Sequence, residues 1–104
     1  MSPPTLAISH PVIRDLVRLA AIEVPGVLRV SWAGSPIRRA LAGRPVVVRL
    51  RHGVVEARVV VVARPGQPLA ALAADVRTAV AAAIERLLGL DLGEVTVRID
   101  GIGG

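Results

Sequence analysis

The chain has 104 residues, 53% of them hydrophobic, and a formal net charge of +5. Its length predicts one domain with a modest core, and the absence of cysteine excludes a disulfide scaffold, thiolate chemistry and cysteine zinc sites. The positive charge favours polyanionic partners, namely nucleic acid, an anionic membrane surface or an acidic protein.

The first predicted element is an amphipathic helix over residues 11–22, where apolar residues recur at helical spacing and Ser9 stands in the N-cap position. Pro25 must end this helix, because it lacks a backbone N–H and disfavours helical geometry in the residue before it. Gly26 supplies a turn conformation that other residues resist, and residues 27–30 are strand formers. We therefore interpret Pro25 and Gly26 as a structural junction without chemistry.

Two alternating segments, residues 45–51 and 54–64, predict a β-hairpin. A two-residue turn at 52–53 pairs Arg49 with Glu56 and brings the apolar sets of both strands to one face. The charged sets then share the other face. Because a shift of one residue would break this agreement, the pattern also predicts the register.

A second helix is predicted over residues 69–88, with Gly89 as its stop, and a final alternating strand over residues 94–100. The element order is helix, strand, strand, strand, helix, strand. This order predicts an α+β fold, in which two helices pack on one face of a mostly antiparallel sheet of about four strands. We expect the whole chain to form a single domain, with flexible ends at residues 1–7 and 101–104.

The sequence shows neither a secretion signal nor a membrane span. The first residues lack a basic region followed by an apolar run, so they do not form a signal peptide. The longest apolar candidate, residues 69–90, is interrupted by charged side chains and falls short of a transmembrane helix. We expect a cytoplasmic protein.

One face of the predicted hairpin mixes valines with arginines, whereas a solvated sheet face should be more polar. Either a helix covers this face or another protein does. An apolar centre with an arginine rim is typical of protein interfaces. The candidate interaction face consists of Val47, Arg49, Arg51, Val54, Arg58, Val60, Val62 and Arg64.

The alternative function is a nucleic-acid-binding accessory protein, because the arginines of this face can contact phosphates. The face has no aromatic residue on which bases could stack, unlike the sheets that bind single-stranded RNA. A protein partner is therefore the favoured interpretation.

Residues 37–42 are compatible with one helical turn and allow two roles. The segment can be a loop that covers the core. It can also be a short basic amphipathic contact with anionic lipid, too short to anchor the protein alone. The residues of that contact are Ile37, Arg38, Arg39 and Leu41.

The sequence contains no catalytic or metal-binding constellation. His10 and His52 lie far apart along the chain, at a helix start and a hairpin tip, without the spacing of a ligand set. The carboxylates are scattered over polar positions and form no pair suited to acid–base catalysis. We therefore expect no enzyme activity, no metal site and no cofactor.

Three segments together resemble a known family. They are ISHPVIRDLVRLAAIEVPGV at 8–27, VVEARVVVVARPGQPLAALAADVRTAVAAAIERLLGL at 54–90 and LGEVTVRIDGI at 92–102. The features with most weight are the Glu-Val-Pro-Gly-Val junction, the Ile-Glu-x-x-x-Gly-Leu helix end and the final Val-x-Val-x-Ile-x-Gly-Ile strand. In this order they resemble the alkaline shock protein family, the Gls-type envelope stress proteins of Gram-positive bacteria.

The resemblance implies a non-catalytic cytoplasmic interaction or scaffold module linked to cell-envelope stress. It further implies that the protein forms homo-oligomers and binds a same-family or membrane-anchored partner, which would place it at the periphery of the cell membrane. The family has no catalytic residues to transfer to this chain.

Overall fold

The computed structural model describes residues 9–103. The elements in chain order are α1 (His10–Ile22), β1 (Val27–Arg29), α2 (Pro36–Ala42), β2 (Val46–Arg51), β3 (Val54–Ala63), α3 (Leu69–Ala83), a π-helical turn (Ile84–Leu88) and β4 (Asp91–Ile102). The predicted α+β architecture and the order of its main elements are confirmed. The structure has one further helix, α2, in the segment where the sequence is compatible with one helical turn.

Strand β3 is the centre of a four-stranded sheet. Along one edge it pairs antiparallel with β2 at its first six residues and with β1 at its last two. Along the other edge it pairs parallel with β4 over its whole length. The sheet therefore has two antiparallel pairings and one parallel pairing, and α3 connects the two parallel strands.

The β2–β3 hairpin has the predicted register, with Arg49 opposite Glu56 and Val48 opposite Ala57. His52 and Gly53 form the turn with φ angles of 50° and 77°. Two positive φ angles match the twist of a two-residue hairpin, which is why a glycine is favoured there.

Helices α1 and α3 pack on one face of the sheet and bury the main core. Each helix contributes three buried side chains at helical spacing: Ile13, Val17 and Ala21 from α1, and Leu72, Val76 and Val80 from α3. The odd-numbered residues of β3 from 55 to 63 face these helices and are buried with them. We call this the helix face, and the opposite side of the sheet the outward face.

Helix α1 ends at Ile22, just before the Pro25–Gly26 junction, and the chain turns there into β1. The sequence predicts that Gly26 adopts a turn conformation that other residues resist, but Gly26 does not have a positive φ angle. A different property of the site therefore explains the glycine. Gly26 is buried, and a Cβ atom there would lie 2.6 Å from Gln67 Oε1 and 2.7 Å from Leu72 Cδ1. Close packing, and not a positive φ angle, is therefore the reason that a glycine is favoured at this position.

The prediction that residues 101–104 are flexible is wrong for the part that the structure describes. Strand β4 continues through Ile102, and Gly103 N donates a hydrogen bond of 2.9 Å to Ala63 O. An irregularity in register near Gly101, whose φ angle is 147°, lets β4 stay paired to the end of β3. The flexibility predicted for residues 1–7 and 104 lies outside the described residues.

Candidate interaction surface

The chain covers one end of the outward face of the sheet and leaves the other end exposed to solvent. The even-numbered residues of β3 point to this face, as do Val47 and Arg49 of β2, because neighbours in a strand alternate between faces. At one end the chain itself covers the sheet. At the other end charged side chains are exposed around a depression.

Val60 and Val62 lie at the covered end and are 0% and 1% exposed. Both are absent from the core under the helices, so they are buried on the outward side. The prediction that they contact a partner is therefore wrong. Neither a helix nor another protein is needed to bury them.

Residues 31–35, which we call the crossing segment, pass over this end of the sheet. β1 and β4 lie on opposite edges of β3, so the chain must cross β3 after Arg29 in order to reach β4. It arrives there at Ala33, whose N–H donates a hydrogen bond of 2.9 Å to Asp100 Oδ2. Asp100 is on the outward face of β4, since Val97 and Ile99 pack against the main core. The crossing therefore runs over the outward face.

Trp32, the only aromatic residue, lies in the crossing segment. The guanidinium of Arg98 lies 5.2 Å from the centre of its ring, in the range of a cation–π contact. Arg98 is the β4 partner of Val60, so Trp32 is close to the buried valine pair. The one aromatic side chain of the protein thus belongs to the outward side of the sheet.

An ion pair ties the crossing segment and α2 to β4. Arg38 Nη1 lies 2.9 Å from Asp100 Oδ2, and Arg98 Nε lies 3.5 Å from Oδ1. Arg38 Nη1 also donates to Ala33 O. The hydrogen bonds from Arg38 and from the Ala33 N–H hold the pKa of Asp100 at about 2, below its ordinary value. The partners are 62 residues apart, and no local pattern predicts their contact.

The open end is a depression of about 230 Å³. Its lining comes from three strands and consists of Val47, Arg49, Glu56, Ala57, Arg58, Glu94 and Thr96. Val47 is half-buried, and the charged side chains around it are exposed. The depression therefore combines a small apolar centre with charges of both signs.

The structure divides the predicted face. Val47, Arg49 and Arg58 come together at the open end, and Arg51 and Val54 pair beside them next to the hairpin turn. Arg64 is exposed beyond the end of β3, next to the covered end. Glu56 and Glu94 also line the depression, although the predicted contact set omits them. The alternation of side chains along each strand predicts on which face each carboxylate lies. It does not predict the parallel pairing of β3 with β4, which brings Glu94 close to Glu56.

Two further properties of residues 9–103 bear on other functions. No three histidine, cysteine or acidic residues in this part of the chain are grouped so that they could hold a metal ion. None of its helices is long and apolar enough to span a membrane.

Comparison with solved structures finds related folds. "MamM CTD M250L" has 19% sequence identity, a TM-score of 0.58, and an alignment that covers 89% of this chain and 99% of that chain. "MamM CTD - Copper form" has 17% identity and a TM-score of 0.57, with 88% and 85% covered. At this identity the likeness concerns the fold alone. No curated protein sequence matches the chain.

A family model matches nearly the whole chain. The alkaline shock protein 23 family, described as having a cell envelope-related function, matches residues 3–103. The match agrees with the resemblance carried by the junction, the helix end and the final strand. The chain therefore belongs to the alkaline shock protein 23 family, whose function is related to the cell envelope.

Proposed function

We propose that the protein is a non-catalytic interaction module of the cell envelope, which binds a protein partner through the open end of the outward face. The contact residues are Val47, Arg49, Arg51, Val54 and Arg58. The observation that carries the proposal is the contrast between the two ends, because the chain covers Val60 and Val62 but leaves a half-buried valine among charges at the open end. An apolar centre with a charged rim is how protein interfaces are built.

Nucleic acid is the second candidate, and the carboxylates at the open end argue against it. Glu56 and Glu94 line the same depression as Arg49 and Arg58. A phosphate backbone would be repelled by the two carboxylates, whereas a protein surface can place charges of both signs against them. The mixed charge therefore supports a protein partner.

The partner that we propose is a same-family or membrane-anchored protein, so that the module acts on the cytoplasmic side of the membrane. Self-association is part of this proposal. Within residues 9–103, β4 pairs with no strand other than β3, so its second edge has no strand partner, although Arg77 Nε donates a hydrogen bond of 3.2 Å to Val95 O of β4. Such an edge is a template for a strand of a second copy.

The test is charge reversal at the open end, with a matched control on the helix side. Arg49→Glu with Arg58→Glu should weaken the partner's affinity by at least tenfold and leave the fold intact, because both side chains are exposed. Arg18→Glu with Arg86→Glu makes the same change of net charge on exposed helical residues and should have little effect. The partner is first isolated from nuclease-treated detergent extracts of the host, identified and purified, and its affinity is then measured directly.

Salt separates the two candidate functions. If the three arginines of the open end neutralised three phosphates, binding should fall about 40-fold between 50 and 200 mM salt. A protein interface centred on Val47 should change much less. Loss of the captured partner after nuclease treatment, together with the steep salt dependence, would overturn the proposal in favour of nucleic acid. Sedimentation of the purified protein over a range of concentrations tests self-association separately.

A further inference from the structure

Strand β4 lies at the border of the sheet, and its backbone shows which groups point away from the sheet. Val60 N–H donates a hydrogen bond of 2.8 Å toward the β2 side, so the backbone groups of Val59 point to β4. Val59 lies opposite Val97, and in a parallel pair it bonds to the residues on either side of that partner. The N–H and C=O groups of Val97 itself, and of the residues two positions away, therefore point to the free edge of β4.

Arg77 of α3 contacts this free edge without closing it. Its Nε donates a hydrogen bond of 3.2 Å to Val95 O, which agrees with the direction of that carbonyl group. Because α3 packs on the helix face, the guanidinium approaches from that side of the sheet. A carbonyl oxygen has two lone pairs, so Val95 O can accept a second hydrogen bond from a strand in the plane of the sheet.

The side chains along the free edge form an ordered set. Glu94, Thr96 and Arg98 are exposed and alternate along β4. Glu94 and Thr96 line the depression of the outward face, and the Arg98 guanidinium lies over the Trp32 ring on the same face. The valines between them lie on the helix face. The outward face of this edge therefore presents an acid, a hydroxyl and a base at equal spacing.

Two-fold symmetry limits how a second copy can extend the sheet through this edge. An axis perpendicular to the sheet makes the two β4 strands antiparallel and keeps the helices of both copies on one side. Residues directly opposite each other then share a face. The axis must therefore pass beside one residue of β4, which lies opposite the same residue of the second copy.

Charge selects the register centred on Thr96. This register places Glu94 opposite Arg98 of the second copy, and the symmetry repeats the pair. Opposite charges across two antiparallel strands stabilise their pairing, as two threonines do, whereas like charges destabilise it. Centring on Val97 places Glu94 opposite Asp100, and centring on Arg98 places two arginines together. A shift by one residue the other way leaves Glu94 and Arg98 without a charged partner.

One other register forms charge pairs, but its carboxylate is already occupied. Centring on Ile99 places Arg98 opposite Asp100 of the second copy. The Asp100 carboxylate already accepts hydrogen bonds from α2 and from the crossing segment, and its side chain is only 7% exposed. Glu94 is exposed and forms no ion pair within residues 9–103. Glu94 is therefore the carboxylate that can bind an arginine of a second copy.

We propose that a second copy of this chain pairs antiparallel with β4 in the register centred on Thr96, so that Glu94 of each copy binds Arg98 of the other. The inference rests on the self-association in the proposed function and adds its surface and its register. On the helix face, the same register places Val95 opposite Val97 of the second copy. Two four-stranded sheets thereby become one continuous sheet.

The test is sedimentation of the full chain and of two charge-reversal variants. Glu94→Arg and Arg98→Glu should each weaken dimerisation about 30-fold, because two opposite-charge pairs become like-charge pairs and each pair contributes about fivefold. Glu23→Arg is the control for Glu94→Arg, since it makes the same change of net charge. It alters an exposed residue at the end of α1, before β1 on the opposite side of β3 from β4, and should leave dimerisation unchanged.

An equal mixture of the two variants tests the register itself. In the mixed dimer one copy supplies two bases at these positions and the other supplies two acids, so both pairs are attractive again. The mixture should therefore dimerise about as tightly as the parent chain. Arg98→Glu also removes contacts with Trp32 and Asp100, and its urea midpoint is measured for that reason. A loss of stability cannot produce the recovery in the mixture.

Thr96→Cys locates the axis, because the parent chain has no cysteine. In the proposed register this residue faces its own copy in a pair without hydrogen bonds, whose Cα atoms are about 4.5 Å apart. That separation is suitable for a disulfide. Mild oxidation should link Thr96→Cys chains into covalent dimers and leave Glu23→Cys chains monomeric under the same conditions.

The register is refuted if neither charge variant weakens dimerisation, if the mixture stays as weak as each variant, or if Thr96→Cys links no faster than Glu23→Cys. Self-association would then stand on the sedimentation of the parent chain, through another surface. A parent chain that stays monomeric at every concentration up to its solubility limit refutes both self-association and the register. Binding of the protein partner is measured independently, with the Arg49/Arg58 variant.

Discussion

Replacement of Val60 by alanine tests whether the crossing segment covers the outward face in solution. Val60 is fully buried, although it points away from both helices. The change removes two methyl groups, which costs about 1.6 kcal/mol in transfer free energy. Incomplete collapse of the cavity brings the expected loss in the free energy of unfolding to about 2–3 kcal/mol. Val47→Ala at the open end is the matched control and should cost less than about 1 kcal/mol, because that side chain is only half-buried.

Urea unfolding of each variant measures the change in the free energy of unfolding. It is obtained from the shift in the urea concentration at the midpoint, provided that the dependence of the free energy on urea concentration is unchanged. A second comparison uses Trp32→Ala. If the tryptophan helps to cover Val60, the loss from Val60→Ala should be smaller in the Trp32→Ala background. The expected coupling is about 1 kcal/mol, as for residues that share one packing site.

The reasoning is refuted if Val60→Ala costs no more than Val47→Ala. The crossing segment would then be detached in solution, and the outward face would be open along its whole length. In that case the original prediction would be restored, with Val60 and Val62 available to a partner. Additive losses in the Trp32→Ala background, with a large loss from Val60→Ala alone, would show instead that residues other than Trp32 cover the valine.

Two further predictions concern the contacts around the crossing segment and the junction. The folded pKa of Asp100 is about 2 and its ordinary value is 3.8, so its ionised contacts stabilise the fold fully above about pH 5. This contribution is lost as the pH falls toward 2. The stability difference between the parent chain and Asp100→Asn should therefore shrink over that interval in urea titrations, and a constant difference would contradict the contact with Arg38. Gly26→Ala should cost about 1–3 kcal/mol in the same assay, since the new methyl group would meet Gln67 and the buried Leu72. A loss below 0.5 kcal/mol (roughly the scatter of neutral surface changes) would show that the site can relax.

The elements that the sequence predicts well are those whose signal is local and periodic. The hairpin follows from two alternating segments and a turn that needs positive φ angles, and its register follows because a shift would mix the faces. The two long helices follow from their apolar stripes. No local pattern in the sequence predicts the edge of β3 with which β4 pairs. That edge depends on how α3 returns the chain to the sheet. For that reason the depression and its carboxylates could not be assembled from the sequence.

The cover over Val60 and Val62 has a partial signal in the sequence. The second half of β3 is apolar at every position from Val59 to Ala63, which is typical of a strand buried on both faces. This pattern predicts that something covers the outward side, but not which segment does so. The answer depends on one carboxylate, Asp100, that receives the Ala33 N–H and the Arg38 guanidinium from far along the chain.

The same carboxylate tests whether the two ends of the outward face are independent, because it holds α2 in place but lies outside the open end. Asp100→Asn removes the ion pair with Arg38 and should loosen α2 from β4. Partner affinity through Arg49 and Arg58 should stay unchanged, because β2 and β3 hold these side chains independently of α2. A loss of partner affinity in this variant, with the fold intact, would mean that the covered end and the open end act as one site.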